Sequence, residues 1–195
     1  DGTLKKSVMR EIESNRFSTK INENLFLRNT YSKKIFKRIK KSQINSVNEY
    51  EYSGLFFFYV PLLVEKVSGL KFEKYFRVNI VGKKNISLLF NPTNSFNREF
   101  IVPTEYDSIF RKKLIHGYVH DEAASFMGGV SGNAGLFGNA ESIGTLLDDL
   151  NPVNSAFNKT TIDKFTSYAF KETSIRRGLG FDKPYPNKVN SSYPN

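Results

Sequence analysis

The residue types best suited to chemistry lie in one glycine-rich stretch, residues 116–147. It holds both histidines of the chain, His116 and His120, and the second is followed by Asp121 and Glu122. Four glycines within eight residues allow backbone turns and close approaches that side chains would prevent; they are Gly128, Gly129, Gly132 and Gly135. This combination predicts one wall of a pocket, and other elements must then supply the facing wall.

The two histidines raise the question of a metal site. Their four-residue spacing, with two carboxylates nearby, is similar to that of paired metal ligands on a helix. A helix is not expected across Gly117, however, and the sequence places no third ligand beside the pair. We therefore predict no metal and no other cofactor. Asn133 is interpreted either as a residue that touches the pocket or as a turn residue that tolerates positive φ.

The composition is typical of a soluble globular protein. Of 195 residues, 39% are hydrophobic and 25% are charged, which argues against a disordered or membrane class. The apolar run from Leu55 to Val64 is too short to span a membrane. There is no cysteine, so disulfides and thiolate sites are excluded. The chain starts at Asp1 without a signal-like segment, so we expect a piece of a longer protein, and composition leaves its localisation open.

Positive charge is concentrated near the start of the chain. The net charge is +10, and residues 1–42 contain twelve Lys or Arg against four Asp or Glu. On a helix, Ile35, Phe36 and Ile39 would form an apolar stripe surrounded by the cations of residues 33–41. Such a helix could meet nucleic acid or an anionic membrane, or simply present a solvated basic face. No metal-finger spacing or other nucleic-acid module accompanies it, so we predict no nucleic-acid partner. Because the longest apolar run is short, we also predict no membrane span.

Apolar periodicity outlines the elements that would position these residues. It predicts the basic helix over residues 31–45 and a buried helix within 48–68, where Pro61 lies in the first turns or at a kink. Gly69 should end that helix, and residues 79–103 should form a long surface connection. The other expected elements are a short helix from Phe72 to Val78, helices from Asn139 and over 160–170, and a short strand at Gly178–Phe181. The expected fold class is mainly α with few short strands.

Two stretches resemble the serine β-lactamase and penicillin-binding-protein-like hydrolases, which include class C β-lactamases, D-alanyl-D-alanine peptidases and esterases. The first, Tyr52-Ser-Gly-Leu with its helix up to Gly69, is similar to the family's Tyr-Ser-Asn motif. The second, residues 102–137, resembles the loop-rich wall of the family's active site. Arg177-Gly-Leu-Gly-Phe is similar to the strand before the family's Lys-Thr-Gly motif. The resemblance covers residues 20–190 and implies the helical portion of the α/β β-lactamase-like (DD-peptidase) fold.

The resemblance implies an acyl-enzyme mechanism, in which a serine attacks a carbonyl and water or an amine resolves the product. By resemblance Tyr52 is the catalytic tyrosine that faces the glycine-rich wall and shares proton handling with a lysine. A free phenol, with a pKa of about 10, is a poor base unless nearby ammonium groups lower that pKa. From spacing alone, an aromatic residue packing at a helix entrance is the simpler interpretation.

The resemblance also implies substrate-binding residues, namely Ser53, His120, Asp121 and Asn133. For His120 and Asp121, this means a position that lines or braces the cleft. The alternative is a purely structural hydrogen-bonded pair in a loop.

The sequence departs from the family's motifs in four respects. Gly54 stands where the family has Asn or Asp and offers no side chain to a substrate. The one Ser-x-x-Lys match, Ser68 to Lys71, follows the tyrosine instead of preceding it, and no Lys-Thr-Gly or His-Thr-Gly occurs. Val81-Gly-Lys-Lys replaces the family's Pro-Leu-Gly-Met turn. We therefore expect residues 1–195 to form a single partial domain without the nucleophile helix and the last catalytic strands.

These observations predict a fragment of a β-lactamase-related serine hydrolase, inactive as this chain, whose substrate is a β-lactam, a peptidoglycan peptide or an ester. The alternative is a non-catalytic binding or structural module on the same scaffold, suggested by Gly54. A basic anion-binding protein is a third hypothesis, resting on residues 33–41. By resemblance only, the full protein is periplasmic or exported from a bacterium, and a glycoside hydrolase domain is fused to it in some relatives.

Overall fold

The computed structural model describes residues 7–44, 50–148, 150, 157–170 and 175–184. The chain divides into two compact units, Asp1–Asn139 and Ala140–Asn195. All the predicted site residues belong to the first unit. Within the described ranges, no helix has the length and apolar character needed to span a bilayer.

A three-stranded antiparallel sheet opens the first unit, with the strand order β1-β3-β2. Its strands are β1, Met9–Arg10, β2, Phe17–Asn22, and β3, Leu25–Arg28. Ile21 and Leu27 are 1% and 0% exposed, so this sheet carries part of the core. The sequence predicts no firm element here, because register shifts between β2 and β3 interrupt the alternation of buried and exposed residues.

The basic helix is confirmed, although it is shorter than predicted. Helix α1 spans Tyr31–Ile39, and residue 45, its expected end, lies outside the described residues. Its apolar residues Ile35, Phe36 and Ile39 are partly buried. The Phe36 ring packs against Tyr59, with centroids 5.2 Å apart. The apolar stripe of α1 therefore faces the protein.

The apolar segment after Tyr52 forms a 3-10 helix, Leu55–Tyr59, followed by α2, Val60–Ser68. Pro61 falls in the first turn of α2, where a missing N–H leaves no helical hydrogen bond unmade. Gly69 ends α2 in a left-handed conformation with φ 71°, as predicted.

The prediction that this segment forms a buried helix is wrong. Phe58 is 5% exposed, but Leu62, Leu63 and Val67 are 43%, 49% and 87% exposed. The prediction from apolar periodicity treats the segment as one continuous α-helix, whereas it is a 3-10 helix followed by α2. The 3-10 turn has three residues per turn instead of 3.6, so the apolar positions before and after it do not share one face.

The short helix predicted from Phe72 is confirmed and is longer than expected. Helix α3, Phe72–Phe76, continues as a π-helical turn, Arg77–Val81, and as α4, Gly82–Lys84. Asn85 follows in the left-handed region, with φ 53°. The helical path thus extends through the segment that departs from the family's usual turn.

The prediction that residues 79–103 form only a surface connection is wrong. Strand β4, Leu88–Phe90, pairs antiparallel with β7, Leu136–Gly138, at the end of the glycine-rich stretch. Leu88 and Phe90 are 2% and 6% exposed. A three-residue strand is too short to give a recognisable alternation in sequence.

Two further elements lead into the glycine-rich stretch. Strand β5, Tyr106–Asp107, pairs with β6, Lys113–Leu114, and the five-residue helix α5, Glu122–Phe126, follows. The loop between the paired strands contains Arg111, which is 7% exposed. These short elements place the start of the glycine-rich stretch against the core of the first unit.

The second unit contains α6, Ala140–Asp148, and α7, Lys159–Thr166, which confirm the two helices predicted there. The prediction of a strand at Gly178–Phe181 is wrong. Arg177 and Asp182 form an isolated antiparallel bridge, and the residues between them make a turn in which Gly180 has φ 87°. Two glycines in four residues favour such a turn over a strand. Assignment of the chain to the β-lactamase-like fold stays a prediction.

Candidate functional site

One pocket of the first unit brings together the two stretches that the sequence singled out. Its cavity volume is about 420 Å³. Residues of the segment 52–58 and of the glycine-rich stretch line it: Tyr52, Gly54, Leu55, Phe57, Phe58, Asp121, Ala123, Gly132 and Asn133. Asp121 is the one charged residue of this lining. Three of the five predicted site residues, Tyr52, Asp121 and Asn133, therefore meet here, and their roles in binding or catalysis stay predictions.

Side-chain hydrogen bonds hold the polar residues of this pocket. The Asp121 Oδ1 accepts from the Ala124 amide at 2.6 Å and so caps the N-terminus of α5. The same oxygen accepts from Asn133 Nδ2 at 3.2 Å. The Asn133 Oδ1 in turn accepts from the hydroxyl of Ser131, which is 4% exposed, at 2.7 Å. Asp121 thus links α5 to the glycine-rich turn, a bracing role for a residue that also lines the pocket.

Close backbone packing joins the two stretches that line the pocket. A Cβ at Gly132 would lie 2.2 Å from the Phe57 carbonyl oxygen and 3.0 Å from the Val60 Cβ, so a larger residue does not fit. At Gly135, φ is 111° and a Cβ would lie 2.3 Å from the Gly129 carbonyl oxygen. Gly132 is therefore required by close packing, and Gly135 by close packing as well as by backbone conformation.

Tyr52 lies at the pocket, whereas the predicted residues Ser53 and His120 lie outside its lining. Tyr52 is 75% exposed, so most of its side chain is accessible at the pocket. Ser53 is absent from the pocket lining; its Oγ accepts from the Leu55 amide at 3.3 Å, at the start of the 3-10 helix. The exposed His120 is likewise absent from the lining, and its backbone carbonyl accepts from Arg111. The structure does not bring Ser53 and His120 into this pocket.

A buried ion pair anchors the segment that precedes Asp121. Arg111 Nε lies 2.8 Å from Asp107 Oδ2, with side chains 0% and 6% exposed. The same guanidinium donates to the carbonyls of Val119, at 2.7 Å from Nη1, and of His120. Burial disfavours the ionised form of Asp107, but hydrogen bonds from Arg111 and backbone amides outweigh it and hold the pKa of Asp107 below its ordinary value. Arg111 therefore fixes the backbone just before the pocket residue Asp121.

A second group of charges ties the first sheet to this region. Glu23, in the turn between β2 and β3, forms ion pairs with Lys113, at 2.7 Å, and with Arg98. Burial raises the pKa of the Glu23 carboxyl. The hydrogen bond from Lys113 and the positive charges of Lys113 and Arg98 lower this pKa by more than burial raises it, so the net shift is downward. These contacts hold β6, and with it the Asp107–Arg111 loop, against the sheet.

The one Ser-x-x-Lys match does not form a nucleophile pair. The Ser68 hydroxyl donates to the Val64 carbonyl at 2.6 Å, within the last turn of α2. Lys71 lies after the left-handed Gly69 and pairs with Glu65 at 3.1 Å. Ser68 is the last residue of α2, and Lys71 lies beyond the end of that helix. The two residues therefore do not share a helix face.

The histidine pair does not form a metal centre in the described ranges. No group of three His, Cys, Asp or Glu side chains comes together there in a way that could hold a metal ion. His116 is partly buried, with its Nε2 2.5 Å from the Ile101 carbonyl oxygen. His116 therefore braces the chain next to Gly117, whose φ is 76°.

Comparison with known proteins finds relatives named for one activity. The chain is 31% identical over 150 residues to a protein of Escherichia coli (strain K12) named "Putative D-alanyl-D-alanine carboxypeptidase", covering 67% of this chain and 34% of that relative. Proteins of the same name from Escherichia coli O157:H7 and Salmonella enteritidis PT4 (strain P125109) are 30% and 28% identical over 150 and 152 residues, with the same coverage. The chain therefore spans about a third of the length of the curated relatives it matches.

These similarities support a D-alanyl-D-alanine-peptidase-like family for the chain. No protein-family model matches the sequence, and no solved structure matches it. The names of the relatives do not support a fused glycoside hydrolase domain.

The charged residues that support the pocket, namely Asp107, Arg111, Glu23 and Lys113, are not predicted by the sequence. Asp107 and Arg111 are four residues apart, a spacing that signals an ion pair on a helix, but the segment is a loop and gave no helical pattern. Glu23 reaches Lys113 across ninety positions of sequence, which no local pattern can indicate.

Proposed function

We propose that this chain is part of a DD-peptidase-like serine hydrolase related to the β-lactamases, and that its pocket forms the tyrosine side of the substrate cleft. The observation that carries the proposal is the meeting of Tyr52 with Asp121 and Asn133 in one pocket. The relatives named for D-alanyl-D-alanine carboxypeptidase activity support the same class of substrate, a peptide of the bacterial cell wall.

In this proposal Tyr52 handles protons while a serine from another part of the polypeptide forms the acyl-enzyme. The exposed position of its side chain would let the phenol reach a leaving group or a nucleophile at the pocket. Asp121 and Asn133 are held in place by their shared hydrogen bond and present polar atoms to the substrate. The chain by itself is proposed to be inactive, because Ser68 and Lys71 do not form a nucleophile pair.

The proposal is tested first on the 195-residue chain. A fluorescent penicillin and a fluorophosphonate probe should label none of its serines, and covalent labelling of any serine would contradict the claim of inactivity. The neighbouring reading frame provides a second test. A Ser-x-x-Lys segment upstream and a His-Thr-Gly or Lys-Thr-Gly segment downstream are expected for a complete enzyme.

If those segments are present, the full-length protein allows the role of Tyr52 to be measured. Tyr52→Phe should lower the rate of D-alanine release from a peptide ending in D-Ala-D-Ala by about 100-fold or more, since a positioned acid–base group contributes at least that factor. Tyr106→Phe is the matched control, because Tyr106 is also exposed, at 66%, and does not line the pocket. Equal rates for the two variants would remove Tyr52 from the mechanism.

A second candidate function is a non-catalytic binding module on the same scaffold, and Gly54 favours it. The backbone there has φ −84°, and a Cβ would meet nothing within 4 Å, so the structure has room for the family's Asn or Asp. The missing side chain is therefore not imposed by packing. Absence of a Ser-x-x-Lys segment from the full reading frame, together with binding of cell-wall peptides, would favour the module over the enzyme.

A further inference from the structure

The structure gathers the positive charge of α1 on one side of the helix. Lys40 and Lys41 continue the last turn, with their amides bonded to the carbonyls of Phe36 and Arg38, both at 3.0 Å. At 3.6 residues per turn, the six cations of this run occupy a continuous arc of roughly 160°. This cationic face consists of Lys33, Lys34, Lys37, Arg38, Lys40 and Lys41, all of them exposed.

The opposite side of α1 is already occupied by the protein. Phe36 packs on Tyr59 of the 3-10 helix, and the Tyr31 ring meets Phe126 of α5 edge-on, with centroids 5.7 Å apart. The apolar side is therefore unavailable for a partner, and the helix turns only its cationic face outward. A partner must consequently bind through charge.

The described part of the chain does not neutralise this face. None of the ion pairs formed by the described residues includes any of its six side chains. Neighbouring cations repel one another, so an external anionic surface that approaches the face relieves repulsion as well as gaining attraction. The charge pattern thus fits a partner with many closely spaced negative charges.

We propose that the cationic face of α1 binds the surface of an anionic phospholipid bilayer. Five of its six cations are lysines, compact point charges that suit a diffuse layer of lipid phosphates and do not require bidentate geometry. Clusters of four to eight cations on an amphipathic helix are typical of such surfaces. Ile44, which is 94% exposed, follows the cationic face in sequence and provides an apolar side chain able to enter the interface.

Nucleic acid fits the same face less well. Sequence reading and stacking use arginine, amide and aromatic side chains that project outward, and here the aromatic residues of α1 point into the protein. A surface of lysines could still bind phosphates without regard to sequence. Nucleic acid is therefore the competing partner in the experiment.

The experiment measures binding of the 195-residue chain to vesicles by co-sedimentation. Vesicles of phosphatidylcholine with 30% phosphatidylglycerol should bind the chain, and vesicles of phosphatidylcholine alone should not. The variant Lys33→Gln/Lys37→Gln/Lys40→Gln should weaken binding about 100-fold, since each lysine near an anionic surface contributes about fivefold. At 1 M salt, where the screening length falls to about 3 Å, binding of the unaltered chain should be lost.

The matched control is Lys66→Gln/Lys74→Gln/Lys83→Gln, which removes three exposed lysines from outside the face. It should bind anionic vesicles within about threefold of the unaltered chain. Equal weakening by both triple variants would overturn the proposal, because net charge alone would then explain binding. Equal binding to neutral vesicles, or tighter binding to duplex DNA than to anionic vesicles at the same salt, would also overturn it. Failure of the unaltered chain to bind anionic vesicles, or binding that persists at 1 M salt, would overturn the proposal even if a variant fails to fold.

Discussion

The glycine-rich stretch and the segment 52–68 line the same pocket but are held in place by different means. The glycine-rich stretch is fixed from behind by Arg111, by the capped helix α5 and by pairing of β7 with β4. In the other segment, Phe58 and Pro61 are buried, whereas the apolar residues of α2 at positions 62, 63 and 67 face solvent. The polar side of the pocket is therefore held by buried side chains and strand pairing, whereas the helix on the tyrosine side exposes apolar side chains to solvent.

The two segments differ in how tightly neighbouring atoms surround their side chains. At Gly132 an added methyl group would clash with the Phe57 carbonyl, and at Arg111 the loss of a charge would leave a buried carboxylate unpaired. On the outer face of α2, a substituted side chain would instead contact solvent.

Arg111→Met should destabilise the first unit by about 3–5 kcal/mol, because it leaves the buried Asp107 carboxylate without its partner. It also leaves the Val119 carbonyl without the hydrogen bond from the guanidinium. Urea denaturation at pH 7, followed by circular dichroism, measures the change. Val67→Gln on the outer face of α2 is the contrasting variant and should stay within about 0.5 kcal/mol. Similar losses for the two variants would contradict the comparison.

Gly132→Ala should destabilise the chain by about 2–3 kcal/mol, since the new Cβ cannot be placed beside the Phe57 carbonyl without moving backbone. Gly54→Ala is its matched control on the other segment, where a Cβ meets nothing within 4 Å. The same urea measurement applies, and a crystal structure of Gly132→Ala should show the two segments further apart. A Gly132→Ala variant as stable as Gly54→Ala would show that the close approach is not rigid.

Glu23→Gln should have the smallest effect and should depend on pH. The pKa of Glu23 lies below its ordinary value of 4.5 in the folded chain, so its contribution to stability is complete above that pH and is lost as the pH falls through the folded pKa. The stability difference between the unaltered chain and the variant should therefore shrink as the pH is lowered below about 4.5. Urea midpoints at pH 7, 5, 4 and 3 measure it, with the exposed Glu122→Gln as the control. A difference that grows at low pH would contradict the assigned role of Glu23.

The sequence was sufficient for the features that depend on local chemistry. Glycine spacing predicted a pocket wall, and Asp121 and Asn133 lie in that wall. Lysine and isoleucine periodicity predicted α1, and Gly69 predicted the end of α2. Each of these follows from the properties of a few consecutive residues.

Features that depend on distant partners were not accessible in the same way. Strand β4 has three residues, and its assignment as a strand rests on pairing with β7, more than forty positions later. Arg111 resembles any surface arginine in sequence, and only tertiary packing buries it. His120 was expected at the cleft by resemblance to the family, but its side chain is exposed and absent from the pocket lining, which depends on how the loop packs.

The ion pair between Glu23 and Lys113 joins residues ninety positions apart and has a consequence for how the chain acquires its structure. Closing so long a loop carries an entropic penalty before any contact compensates it, whereas the backbone hydrogen bonds of α1 join residues only about four positions apart. During synthesis at about 5–20 residues per second, Lys113 emerges several seconds after Glu23. Turns of the basic helix can therefore begin to form on the nascent chain before its packing partners Tyr59 and Phe126 are in place.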